Sequence, residues 1–504
     1  MEQRRDGLLL DLRRPHERPD HERPAALRHD LRRLPTPRHR RAGHALGRRV
    51  LRRLAARRRS QDHSVSSRRT PILCAAALPL FWGGAGSGGV ARSGPAPDTL
   101  TVAYDVAGLR VIQRINRASE VVAVRLYLLG GARQLTERTA GIEALLLRSS
   151  EYGTAQFPDE TARRAMARTG SVVSLEPEVD WTVFGFTGLA RDLDAVWRVF
   201  ADRVTHPALS ERAVAQARGK LLSRARTRYS NPDERIRILA TAALFQDHPY
   251  ALDPEGTEAS LAALTPADLQ AYGRDQLVTS RMLLVVVGNV ERAQVESLVG
   301  ATLGQLPHGA YQWTLPPPAP ELKPHWLVEH RAIPTNYILA YFTGPPPTSR
   351  GYWAFRLATA LLSSELHRMV RSERSLSYAA FAPFIDQAIP VGGAYASTPK
   401  PQQVLPLMTA AIETLQFSQL DYFALSRFVD SFAFDYLAEN ASAADQAEFL
   451  ARADLYLGDY RLGDEFVKRL RSVRPTEIRA VASGYMRRIQ YAYLGDTVRM
   501  RGHW

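Results

Sequence analysis

Metal and acid–base chemistry need histidines, carboxylates or thiols in sets, and this chain offers few. The tempting group is "HWLVEH", where His325, Glu329 and His330 stand close together. Two histidines can share one metal when they lie on one face, as i and i+4 do on a helix. His325 and His330 are five apart, follow Pro324 and enter a strand-like run, where i and i+5 point to opposite faces. The segment reads as linker and strand, with both histidines solvated. His206 and His248 each precede a proline and read as turn residues. Cys74 is the only cysteine, and it sits in an N-terminal apolar run. The body of the chain is therefore expected to have neither a thiolate ligand nor a disulfide.

Charge points first to nucleic acid and then away from it. The formal net charge is +15, but residues 1–70 hold 21 Arg and 8 acidic residues, leaving a net of only +2 for the rest. The basicity belongs to the leader, so a nucleic-acid surface on the folded body is not expected. Residues 1–64, rich in Arg, Pro and His, have little to bury and read as a disordered leader or an untranslated upstream extension. Residues 65–92 read as a signal peptide. Arg68 and Arg69 precede the apolar run from Pro71 to Trp82, and small residues follow. That run is too short to span a bilayer, so no integral membrane segment is expected after processing. The route, twin-arginine or general secretory, stays open. The expected location is periplasmic or otherwise exported.

The elements of the body come in two sets. "LTPADLQAYGRDQLVTSRMLLVVVGNV" (264–290) opens with Thr265 as N-cap and Pro266 at the first helical position, and closes on a buried strand. "VRPTEIRAVASGYMRRIQYAYLGDTV" (473–498) repeats the plan about 209 residues later, Pro475 standing for Pro266 and Gly495 for Gly288. A similar offset carries the strand 121–129 onto 335–342, and the segment at Gly141 near 351–366. The Pro-dense stretch 313–326 reads as an extended linker. It divides an N-terminal domain, 98–312, from a C-terminal domain, 327–499. Adjacent strands and long helices without regular βαβ alternation predict an α+β fold. Each of the two homologous domains is expected to be a largely antiparallel sheet packed against helices.

The order of these segments resembles the insulinase/pitrilysin-type (inverzincin) zinc peptidase family in its short bacterial form. The resemblance runs from about Asp98 to Asp496. It rests on "AGLRVI", "VRLYLLGGAR", "GIEALLLRSSEYGT", "HPYALDPEGTEASLAALTPADL", "LLVVVGNV" and "VRSERSLSYAAFAP" taken in order. Active members carry H-x-x-E-H on the helix after Gly141, with a later Glu as third ligand. Aligned on Gly141 and Gly153-Thr154, the two His positions fall on Ala144 and Arg148, and the Glu position on Leu147. Ala and Leu cannot bind a metal, and Arg repels one. No carboxylate lies between Glu211 and Asp233, and Ser223 or Arg224 stands where the third ligand belongs. Arg148 also has an ordinary reading, paired with Glu151 or Glu143. The basic stretch 212–228 reads as a solvated helix face or as a surface for an acidic partner.

The resemblance implies a division of labour. In paired members one subunit carries zinc, while the other lacks the motif but keeps an Arg and a Tyr that contact the peptide near the scissile bond. Arg371 and Tyr378 match that pair, with Arg374 as the nearby rival. On the residues alone, Tyr378 could pack on a strand and Arg371 could pair with Glu373 or Glu365. The implied function is a non-catalytic, substrate-binding subunit of an exported zinc endopeptidase. Its partner would be a homologous subunit with intact H-x-x-E-H, its substrate a peptide, and the zinc would be in the partner alone. The alternative is a catalytically silent scaffold or peptide-binding module. An autonomous metallopeptidase would lack a ligand set. Sequencing of the exported protein is expected to give an N-terminus between Gly83 and Ser93, and peptides from residues 1–60 in that fraction would overturn the leader reading.

Overall fold

A computed structural model describes residues 101–503. The leader, the signal-peptide segment and Cys74 lie outside the described residues. The first half opens on β1 (Thr101–Val106), β2 (Leu109–Ile115) and β3 (Val121–Leu129), followed by α1 (Ile142–Ser149) and α2 (Thr161–Arg168). Next come β4 (Val172–Pro177), β5 (Trp181–Leu189), α3 (Leu193–Thr205), α4 (Glu211–Ser230) and α5 (Pro232–Phe245). The half closes with α6 (Glu258–Ala263), α7 (Pro266–Gln276), β6 (Met282–Gly288) and α8 (Arg292–Gly300). Residues 306–324 form neither helix nor strand, and β7 (His325–His330) takes in the last two residues of the 313–326 stretch.

The second half continues with β8 (Asn336–Thr343), α9 (Gly351–Leu366), β9 (Ala379–Phe381), β10 (Phe384–Ile385) and β11 (Val391–Thr398). Then follow α10 (Pro401–Phe417), α11 (Tyr422–Glu439), α12 (Ala443–Leu457), α13 (Phe466–Arg471), α14 (Pro475–Tyr485) and β12 (Gln490–Gly495).

The repeat read from the sequence is a repeat of structure. α7 and α14 are each 11 residues long and each starts on the matched proline. Gly288 and Gly495 both end a buried strand at nearly the same positive φ, 151° and 155°. The first sheet runs β1-β2-β6-β3-β5-β4 and the second β10-β11-β8-β12-β7, with β9 also paired to β11. Each sheet has a single parallel pair, β2 with β6 and β7 with β12, and is otherwise antiparallel. The α+β expectation of two largely antiparallel sheets packed against helices is met.

Both sheets are buried on both faces, which is why β6 ("MLLVVVG") is apolar throughout instead of alternating. One face of each sheet packs on helices of its own half. The other face is covered by a helix from the opposite half. Ala447, Leu450 and Tyr456 of α12 pack on Tyr127, Trp181 and Val285 of the first sheet. Ile236 and Ala240 of α5 pack on Leu339, Tyr341 and Leu494 of the second. Each half thus supplies the cover for the other's apolar face.

At the joint between the two halves stands Asp180, fully buried just before β5. Tyr250 Oη donates to one carboxylate oxygen at 2.6 Å, and Tyr456 Oη donates to the other at 2.8 Å. The Ala388 N–H also donates to it, at 3.1 Å, and Arg133 Nε lies 3.3 Å away. Burial and the adjacent carboxylate hold both phenols protonated far above their ordinary range. Trp181 packs against Tyr456 with ring centroids 5.0 Å apart and planes tilted by 31°, and Trp313 packs beside it while donating its indole N–H to Leu455 O at 2.9 Å. Asp180→Ala would leave the Tyr250 and Tyr456 hydroxyls and the Ala388 N–H without their acceptor and the half-buried Arg133 without its acid, so a loss of about 3–5 kcal/mol is expected. Tyr456→Phe removes one hydrogen bond and should cost about 1 kcal/mol. Urea unfolding checks both. If the exchanged helices couple the halves, a single transition shifts; two separated transitions in the parent chain would contradict that coupling.

Candidate functional site

The helix α1 starts where two glycines let two backbones touch. Gly141 holds φ 83°, and a Cβ there would meet Glu255 O at 2.7 Å. Gly256 faces it at φ 82°, and a Cβ there would meet Ala140 O at 2.7 Å. Neither position accepts a side chain without backbone movement. The close approach brings the acidic loop 253–258 against α4. There Arg224 pairs with Glu255 at 2.7 Å, Arg226 with Glu258 at 2.8 Å, and Arg228 with Asp253 at 2.9 Å. The basic stretch 212–228 is therefore neither simply solvated nor reserved for a partner. This chain's own acids neutralise much of it.

A buried ion pair anchors the body of α1. Glu143 accepts from Arg281, from Thr182 Oγ1 and, at 2.6 Å, from Tyr272 Oη, while Arg281 Nε donates to Leu129 O at 2.7 Å. Helix α1 is thus tied to β3, β5, α7 and the start of β6 at once. Glu143 is consequently unavailable to Arg148, which pairs instead with Glu151 at 3.8 Å.

The three motif positions fall on α1 as expected from their spacing. Ala144 and Leu147 are buried in the apolar core. Arg148 reaches an open cleft of about 590 Å³ bounded by α1, α2, β4, α3 and α4. The cleft is also lined by Arg163, Arg203 and Arg224, with Glu151 and Glu176. Of the two candidates for the third-ligand position, Arg224 lines this cleft and Ser223 does not. Zinc needs three ligands from His, Cys or carboxylate groups. The ligand positions here hold an alanine methyl, the Arg148 guanidinium and Ser223 or Arg224, and they do not fit the ion. Among the described residues no cluster of three or more His, Cys, Asp or Glu could hold a metal.

Arg203 is the feature of this cleft that sequence reasoning missed. It is 5% exposed and lies near the end of α3. Its Nε donates to Ser150 Oγ at 3.0 Å and one Nη to Leu147 O at 3.3 Å. No carboxylate among the described residues lies within ion-pair distance of it. Burial pulls its pKa down to about 10, with Glu151 opposing and Arg148 adding to that shift. Nothing local marked it, because it sits in an ordinary amphipathic helix.

"HWLVEH" is β7, with His325 and His330 at its exposed ends. Their ring nitrogens reach Gln490 at 3.1 Å and Thr497 at 3.0 Å, respectively, not a common point. His206 ends α3 beside Thr205 and Asp202, and His248 accepts from the Tyr250 N–H at 3.1 Å.

Arg371 and Tyr378 lie elsewhere, on the second half, and neither lines the Arg148 cleft. Helix α9 runs on into a π-helical turn, His367–Ser372, which carries Arg371. Such turns widen the backbone and commonly mark functional positions. The chain then reverses at Ser375, φ 51°, and the Leu376 N–H donates to Val370 O at 2.9 Å. Thr398 Oγ1 donates to Leu376 O at 2.7 Å, and Ser377 Oγ donates to Ser397 O, also at 2.7 Å. The backbone on the N-terminal side of Tyr378 is thus fixed to β11, and the residue beyond it enters β9. The Tyr378 side chain nevertheless stands 91% exposed. It does not pack on the sheet. The acids proposed as ordinary partners for Arg371 are taken: Arg368 bridges Glu365 and Glu373, and Arg374 pairs with Glu373 at 2.8 Å. Arg371 has no side-chain partner among the described residues.

Residues 110–258 match the family described as insulinase (peptidase family M16), and residues 263–424 match the peptidase M16 inactive domain. The mitochondrial-processing peptidase subunit beta of Blastocladiella emersonii is 24% identical over 51% of this chain and 55% of its own length. An uncharacterized zinc protease of Mycobacterium leprae is 26% identical over 55% of this chain and 63% of its own. The matches thus span between about half and two thirds of these relatives. Among solved structures, a peptidase M16 inactive domain from Pseudomonas fluorescens superposes with TM-score 0.72 at 17% identity, covering 79% of this chain and 98% of that one. A protease from Helicobacter pylori gives 0.70 at 18% identity, covering 78% and 99%. No helix among the described residues is long and apolar enough to cross a membrane. The two family matches lie end to end over residues 110–424, the second beginning within the first half, and the chain is a peptidase-like member of the insulinase/pitrilysin (M16) family.

Proposed function

We propose that this chain is the non-catalytic, substrate-binding subunit of an exported zinc endopeptidase, working beside a homologous subunit that carries the intact motif and the metal. The observation that carries the reading is the presentation of Tyr378 and Arg371. A tyrosine is rarely left bare on a backbone this firmly pinned. An arginine whose neighbouring acids are all engaged keeps its donors for something else. A peptide carbonyl under attack gains negative charge on oxygen. A phenol O–H and a guanidinium can hydrogen-bond that oxygen or hold the adjoining peptide. The chain's own part is then to orient the peptide and stabilise that charge. Metal and attacking water come from the partner.

Two measurements test the reading. After washing with chelator, the purified chain is expected to hold no stoichiometric zinc, and about one tightly bound zinc per chain by elemental analysis would overturn the assignment. In the assembled pair, Tyr378→Phe and Arg371→Ala are each expected to lower turnover on the order of 100- to 1,000-fold while the complex still elutes as one species. Arg374→Ala, whose partners are Glu373 and Met369 O, serves as the control and should leave turnover nearly unchanged. Full activity in both variants would leave the chain a scaffold.

A further inference from the structure

We infer that the cleft at the lost zinc position is an anion site that takes the free C-terminal carboxylate of an extended peptide. This goes beyond the role proposed for Arg371 and Tyr378 and needs no partner subunit. A guanidinium buried without an acid is costly, and the cost falls when an anion arrives. Arg203 is such a group, and Arg148 stands close enough to raise its charge stress. Arg163 and Arg224 line the same cleft but are paired with Glu160 at 2.5 Å and Glu255 at 2.7 Å. Arg148 is engaged only loosely by Glu151. Glu151 and Glu176 also line the cleft, so what it offers a ligand is not a net charge but the Arg203 guanidinium, which no carboxylate reaches within ion-pair distance among the described residues, with Arg148 beside it.

The walls favour a peptide end over a small inorganic anion. One wall is β4, which ends the sheet order and so has one edge without a strand partner among the described residues. Such an edge offers N–H and C=O groups to an extended chain. Its Ser174 Oγ is buried and has no hydrogen-bond partner among the described residues. Val173, Leu175 and Met166 give the cleft an apolar side beside the guanidinium groups. About 590 Å³ accommodates a terminal residue with its carboxylate. Apolar side chain, strand-forming backbone and carboxylate together match the last residues of a peptide.

The test uses the chain alone and an N-terminally fluorescein-labelled, alanine-rich decapeptide ending in leucine, as free acid and as amide, read by anisotropy. The free acid is expected to bind about tenfold or more tightly than the amide, since a charge-assisted, fork-shaped contact is lost on amidation. Arg148→Gln should weaken the free acid about tenfold and leave the amide unchanged. Because Arg203 is buried, Arg203→Lys is compared by thermal melting before binding is read. If that variant is unfolded, Arg148→Gln alone decides. Equal affinity for acid and amide, or no effect of Arg148→Gln, overturns the site. Displacement by equimolar inorganic phosphate also overturns it, since that would mark a simple anion hole. None of these outcomes depends on turnover by the pair, so they are separable from failure of the Arg371 and Tyr378 reading.

Discussion

The two halves are held to one arrangement by the carboxylate of Asp180. It has no access to water, so each of its lone pairs must be met from within the protein. The donors come from separate places: Tyr250 after α5, Tyr456 on α12 and the backbone at Ala388, with the Arg133 guanidinium after β3 adding its charge. Tyr250 and Tyr456 stand at the ends of the two exchanged helices. Hydrophobic burial would hold α5 and α12 somewhere on the opposing sheets, because apolar contact is not directional. The hydrogen bonds to one buried acid fix where.

That fixed frame explains how the zinc-helix positions can change without loss of the fold. In a site organised by metal, removing ligands would remove a tether. Here α1 is held by Glu143 against Arg281, Thr182 and Tyr272, and by the glycine contact at its start. Ala144 and Leu147 add apolar packing where polar ligands would need partners. The helix stays in register while its chemistry is gone, and the cleft that remains is set by guanidinium groups.

Much of this architecture was legible in the sequence. The 209-residue repeat, Pro266 and Pro475 at helix starts, and the strand ends at Gly288 and Gly495 follow local rules of capping and periodicity. That Ala144, Leu147 and Arg148 share one helix could be read because helical spacing is a local fact. What could not be read were pairings fixed only in three dimensions. Glu143 and Arg281 are 138 residues apart, and Tyr456 and Asp180 are 276 apart. The exchange of α5 and α12 was hidden for the same reason: an apolar helix face does not say which sheet it covers. Nor could the sequence show that Arg368 and Arg374 would occupy the acids next to Arg371. Three arginines and two glutamates in so short a span permit several pairings, and the π-helical turn selects one.

The two places of interest differ in kind, and the difference follows from their backbones. Tyr378 leaves a loop stapled to β11, so its hydroxyl is carried outward at a defined height with little conformational freedom in the main chain. On the proposed function, that placement suits contact with a reacting centre outside its own half, where misplacement is costly. Arg203 is the opposite case. It is buried, its donors partly used on Ser150 and Leu147, and its charge is balanced only at a distance. A group so placed cannot reach out, so whatever neutralises it must come in. One half of the duplicated fold therefore presents its polar chemistry to the outside, and the other keeps it at the bottom of a cleft.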